Sequence, residues 1–180
     1  MGEIKSTLEL VMARTRHLSL SDEEKARQQQ ADFDKRLQGL LQQYSDGALS
    51  VDALQDRITA LQVELKLEDP HMLAGGVARR IDPDQDNQCW LDLLRETAPA
   101  LCGPLKAVLV EFSASKRERL QAGERRLRQD LAEGHGIAGP AVVPNAQKDR
   151  ACRAELAALR QQALDRLEAV VNQAMASDQT

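Results

Sequence analysis

The chain has 180 residues, a net charge of −4 from 24 basic and 28 acidic residues, and 42% hydrophobic but only 2% aromatic residues. This length fits one domain or two small ones. The excess of acid argues against a general nucleic-acid binder. With only Phe33, Tyr44, Trp90 and Phe112 as aromatics, the core has to be built from Leu, Val, Ile and Ala. That palette, with 29% charged residues, suits long helices packed side by side, and sparse β-branched residues argue against sheet.

Ile4, Leu8, Val11, Thr15 and Leu18, spaced four and three apart, share one face of a first helix expected over 3–17. Ser21 and Glu24 then form an S-x-x-E capping box that opens a second helix. Its first turns (DEEKARQQQ) are polar and solvated, and its apolar face runs through Phe33, Leu37, Leu40 and Tyr44. Asp46-Gly47 ends it, and Ser50 caps a third helix whose seam is Val51, Leu54, Ile58, Leu61 and Leu65. The short connection predicts an antiparallel hairpin.

Pro70 stops the third helix, and residues 69–83 (DPHMLAGGVARRIDP) are expected to be a linker or hinge, because Gly75-Gly76 is costly inside a helix. Asp82-Pro83 is expected to start a fourth helix carrying Trp90, Leu91 and Leu94. Thr97 with Pro99 marks a further start, and Pro104 has to kink the fifth helix or begin it. Long helices are expected over about 100–133 and from Asn145 to about 176, each roughly 50 Å long, forming a second hairpin. A loop centred between Gly139 and Pro140 sets Leu127 near Cys152, Leu120 near Leu159, Phe112 near Leu167 and Val108 near Val171. The fold expectation is therefore all-α: an elongated bundle of about six helices in antiparallel coiled-coil hairpins. Its parts are an N-terminal hairpin region (1–68), the linker (69–83) and a C-terminal long-helix hairpin (84–180), or one continuous domain.

Several motifs suggest chemistry, and each has a plainer structural explanation. GHGIAG (134–139) fits G-x-G-x-x-G, but that fingerprint needs a strand before it and a helix opening from it. Here a charged helix precedes it and Pro140 follows, so it reads as a hairpin tip. Asp82, Asp84 and Asp86 form D-x-D-x-D, but Asn87 and Leu93 stand where a calcium loop needs Gly and Glu. Glu68-x-x-His71 is half of a di-iron site, with Pro70 breaking its helix. His17 and His135 lack partners at ligand spacing.

Cys89, Cys102 and Cys152 are odd in number and form no C-x-x-C, so no disulfide framework or activated thiol is expected, which favours a reducing compartment. The opening MGEIKSTLELVM lacks a continuous apolar core and is no secretory signal. Met1-Gly2 with Ser6 matches a myristoylation pattern without basic support. No run reaches the roughly 18–20 apolar residues of a membrane span. These readings predict a cytoplasmic protein with no catalytic, cofactor or metal site.

Two surfaces remain. The apolar loop residues Ile137, Val142 and Val143 either contact a partner or fold back onto the helix ends. The basic run KRERLQAGERRLR offers Lys116, Arg117, Arg119, Arg125, Arg126 and Arg128 as phosphate contacts, interrupted by acids and without aromatics for stacking. The leading expectation is a non-enzymatic scaffold or interaction protein that binds a protein partner or itself. A regulatory nucleic-acid binder using 116–128 is the alternative, and a helical-bundle metalloprotein the second alternative.

The opening MGEIKSTLELVMARTRHLSLSDEEK resembles a small family of uncharacterised bacterial proteins that begin in this way. The resemblance covers about 25 residues. It implies a bacterial, cytoplasmic, mostly helical protein and brings no activity or catalytic residues with it.

Overall fold

The computed structural model describes residues 21–67 and 71–177. The helix expected over 3–17, His17, the Met1-Gly2 pattern and Glu68 lie outside the described residues. Six α-helices, and no strand, are present among the described residues: α1 (Asp22–Ser45), α2 (Val51–Leu65), α3 (Met72–Ala78), α4 (Gln88–Thr97), α5 (Pro99–His135) and α6 (Arg150–Ser177). The chain divides into two compact units at Asp69/Pro70.

In the N-terminal unit, α1 begins with the expected capping box. Ser21 Oγ accepts from the Glu24 N–H at 3.2 Å, and Glu24 Oε2 accepts from the Ser21 N–H at 2.8 Å. Two donors that the first turn leaves open are thereby satisfied. The helix stops where Gly47 takes φ +74°, and Ser50 Oγ restarts it by accepting from the Ala53 N–H. The hairpin is antiparallel: Arg36 reaches Glu64 at 2.8 Å and Arg57 reaches Gln43 at 3.1 Å. Leu54, Ile58 and Leu61 of the expected seam are buried, with Val51 and Leu65 half-buried at its ends. On α1 the buried stripe is Phe33, Leu37 and Leu41, whereas Leu40 is only half-buried. Spacings of four-three and four-four both keep residues on one face, so adjacent leucines leave the sequence pattern undecided.

The C-terminal unit corrects the expected linker. Residues 72–78 form α3, and Met72, Ala74, Gly75 and Val77 are buried, as is Ile81 beyond it. Gly75 is tolerated in a helix because it is used for close approach: a Cβ there would lie 3.3 Å from Met175 Cε on α6. The fourth helix starts at Gln88 instead of after Asp82-Pro83. Asn87 explains the delay, since its Oδ1 accepts from the Asp82 N–H and its Nδ2 donates to the Asp82 and Gln85 carbonyls. That side chain closes 82–87 into a tight loop and uses the backbone groups a helix would need.

Trp90, Leu91, Leu93 and Leu94 of α4 are buried, and Cys102 Sγ of α5 donates to the Leu91 carbonyl at 3.4 Å. The fifth helix is continuous through Pro104 and begins at Pro99, where a missing N–H costs nothing. It has 37 residues against 28 in α6, about 55 Å against about 42 Å at 1.5 Å per residue, so the two are unequal.

The register also differs from expectation. Gly123, one turn before Leu127, faces Cys152. The returning segment 140–149 descends beside α5 in extended and 3₁₀ form, with the 3₁₀ turn at Ala146–Lys148. Such backbone covers more length per residue than an α-helix, so α6 starts lower on α5 than an even loop would place it.

Candidate functional site

The hairpin tip is built by glycines with separate duties. Gly134 is helical, Gly136 takes φ +64° and ends α5, and Gly139 takes φ +135°. The Ile137 N–H donates back to the Leu131 carbonyl at 3.0 Å, which closes the helix end. Asn145 Oδ1 accepts from the Gln147 N–H, and the Cys152 N–H donates to Asp149 Oδ2 at 2.8 Å, so Asp149 caps α6. A helix precedes the glycines and a coil follows them, so the strand and helix order of a dinucleotide site is absent around GHGIAG.

Of the three apolar tip residues, Val142 is half-buried, while Ile137 is 49% and Val143 77% exposed. Val143 borders a recess shared with Leu120, Glu124 and Ala146. The tip therefore divides between the two expected outcomes: one residue folds partly back and two face outward.

The basic run is divided as well. Lys116 pairs with Asp84, and Arg126 with Asp149 at 3.0 Å and Glu155 at 3.6 Å. Arg117, Arg119, Arg125 and Arg128 are exposed and make no ion pair among the described residues. Arg117, Arg125 and Arg128 fall eight and eleven residues apart, on one side of α5.

The three aspartates of D-x-D-x-D have structural duties. Asp82 Oδ1 accepts from the Asp84 N–H at 3.0 Å, and its Oδ2 meets Arg160 at 2.9 Å. Arg160 Nε also meets Asp84 at 3.1 Å, and Asp86 accepts from the Gln88 N–H. The Asp84 N–H, then Arg160 and Lys116, hold the Asp82 carboxyl below its ordinary range. Two cations thus stand where a calcium ion would need open oxygens. Lys116 lies 5.7 Å from the Phe112 ring centroid, beside a hollow of about 330 Å³ between 82–87, α5 and α6. Arg160 ties α6 to the 82–87 loop while Lys116 ties α5 to it, and nothing in the sequence neighbourhood of Arg160 announced that.

His71 precedes α3 and His135 ends α5 in an exposed position. Among the described residues, no group of three or more His, Cys, Asp or Glu lies at ligand spacing. The cysteines are free. Burial, then Asp86, raises the Cys89 thiol, and burial, then Glu155 and Asp149, raises Cys152. Neither has the electropositive setting of a reactive thiolate. No described helix is long and apolar enough to cross a membrane.

No family model matches the chain, and no curated protein or solved structure matches it either. The resemblance of the opening 25 residues therefore assigns no family.

One further surface went unread in the sequence. Between α3 and α6 lies an open hollow of about 480 Å³, walled by Gly75, Ala78, Ile81, Leu167, Val171 and Met175, with Arg79 and Glu168 also on it. The Gly75-Gly76 pair was its one sequence signal. Paired small residues allow close backbone approach as well as chain breaking.

Proposed function

We propose that this chain is a non-enzymatic helical interaction protein whose α5–α6 hairpin carries a protein-contact tip, working in a reducing, cytoplasmic setting. The observation that carries the reading is the exposure of Ile137 and Val143. Among the described residues four large apolar side chains are exposed, and two of these share this one loop. Water contact with both is unfavourable, and glycine and proline hold them where folding back is restricted. The experiment is affinity capture with the wild-type chain and Val143→Asp. The expected result is loss of a bound protein from the variant at unchanged helical content. An identical bound set counts against the tip.

A second reading, phosphate binding by α5, is favoured by one specific observation: Arg117, Arg125 and Arg128 lie on one side without acidic partners among the described residues. Replacing these three with Gln should abolish retention on heparin at low salt, whereas Lys116→Gln should alter it little. Binding that ignores salt rules the reading out, because phosphate contacts release counterions.

A further inference from the structure

We propose that the α5–α6 tip docks into the α3/α6 hollow of a second copy of this chain, in a head-to-tail contact. This rests on the reading of the tip as a protein contact and names its partner. The hollow and the tip are complementary in chemistry. One is a cleft of about 480 Å³ with aliphatic walls, and the other is a loop offering Ile137 and Val143 to solvent. Gly75 leaves the cleft open where any side chain would narrow it, and Met175 supplies a pliable wall that can repack around branched side chains.

A chain cannot satisfy its own cleft. The tip precedes the start of α6, whereas Leu167 and Val171 line the cleft further along it. About 25 Å of rigid helix separates them at 1.5 Å per residue. The match is therefore between copies.

Charge points the same way. Residues 116–153, the segment of the C-terminal unit that bears the tip, hold nine Lys and Arg against five Asp and Glu, a net of +4. The rest of residues 70–180, which bears the cleft, holds six against ten, a net of −4. Opposite ends of one unit thus attract when two copies meet head to tail, and like ends repel. Close to the contact, Asp130 and Glu133 flank the tip, while the cleft carries Arg79 and Glu168 together, so the steering comes from the net charge of the two parts and not from a local pair. A tip-to-cleft contact uses different patches on the two copies, so each dimer retains one free tip and one free cleft and the association is open-ended.

The test is sedimentation velocity of the full chain over a range of concentrations at low and high salt. Its variants are Val143→Asp at the tip and, at the cleft, Val171→Asp and Asn172→Trp. Asn172 lines the same hollow and is exposed, so Asn172→Trp blocks the cleft without placing a charge in the wall. The expected result is concentration-dependent association of the wild type, weakened by salt, and monomers for each variant alone. A mixture of the tip variant with a cleft variant should give a one-to-one complex, because each supplies the half that the other lacks. A wild type that stays monomeric throughout overturns the self-docking, while the tip itself is still judged by the capture experiment. Association that survives Val143→Asp overturns the self-docking, because the tip is then not the self-contact, and the capture experiment alone judges the tip as a contact for another protein. Association lost with Val143→Asp but untouched by both cleft variants overturns the cleft and leaves the tip standing.

Discussion

Gly123 of α5 lies directly against Cys152 of α6: a Cβ on this glycine would sit 3.2 Å from Cys152 Sγ and 3.2 Å from Ala146 Cβ. Cys152 and Ala146 are both buried, so the two long helices and the 3₁₀ turn meet closely at this glycine. Gly123→Val should lower stability by about 1–3 kcal/mol through overpacking. Gly123→Ala should change it little, because improved helix propensity of up to about 1 kcal/mol opposes the crowding. Thermal unfolding followed by circular dichroism separates the two. Pairing Gly123→Val with Cys152→Ala should restore part of the loss, since the two residues are in contact. Strictly additive effects would mean that the helices separate at this level.

Asp82 and Asp149 make stability depend on acid pH. Backbone N–H groups are the largest cause at both, from Asp84 on Asp82 and from Cys152 on Asp149, and Arg160 and Arg126 add to them. Both carboxyls are held below their ordinary value of 3.8 in the folded chain. A depressed folded pKa means that the unfolded chain binds protons first as pH falls. The stabilisation is therefore complete above the ordinary carboxylate range and is lost as pH descends through 3.8 toward the lower folded values. Urea midpoints should be level near neutrality and fall in this acid window. Asp82→Asn should be less stable at neutral pH and lose part of the acid slope. An unchanged slope would show that the Asp82 contacts contribute nothing.

The parts of the fold that were legible in the sequence were those set by neighbours along the chain. Ser21 and Glu24 are three residues apart, Ser50 caps the helix it precedes, and Leu54, Ile58 and Leu61 repeat within one helix, so local geometry fixes them. What was not legible depends on residues distant in sequence. Gly75 reads as a helix breaker until Met175 is known to lie against it. Asp82 reads as a cap until Asn87 closes the loop and Arg160, 78 positions away, takes its other oxygen. The basic run reads as one patch until Asp84 and Asp149 claim two of its members and leave the other four exposed. The tip was the most readable part of the candidate site, because glycine and proline act locally. Which of its side chains fold back was decided by packing.

The capping box at Ser21 should act locally. The turns that follow it are exposed through Gln28, so little core depends on them. Ser21→Ala should cost the helix about 1 kcal/mol. It should speed amide hydrogen exchange over the first turns of α1 while leaving the amides around Phe33, Leu37 and Leu41 protected. Faster exchange across the whole hairpin would mean that the cap supports the packed seam.

The glycines of GHGIAG make opposite predictions within three residues. Gly134 is helical, and a Cβ added there would have no neighbour within 4 Å, so Gly134→Ala meets open space and a helical backbone. It should raise stability by up to about 0.5–1 kcal/mol by reducing the freedom of the unfolded chain. Gly136 has the same open space but φ +64°, where a Cβ crowds its own backbone. Gly136→Ala should lower stability by roughly 1–2 kcal/mol. If the tip is a contact surface, Gly136→Ala should also disturb the presentation of Ile137, whose N–H closes the helix end, and reduce partner binding by more than Gly134→Ala does. A calorimetric melt of each variant, read beside the capture experiment, distinguishes a strained turn that positions a contact from one that only ends a helix. Equal melting shifts would remove the conformational argument, and equal binding would remove the positioning one.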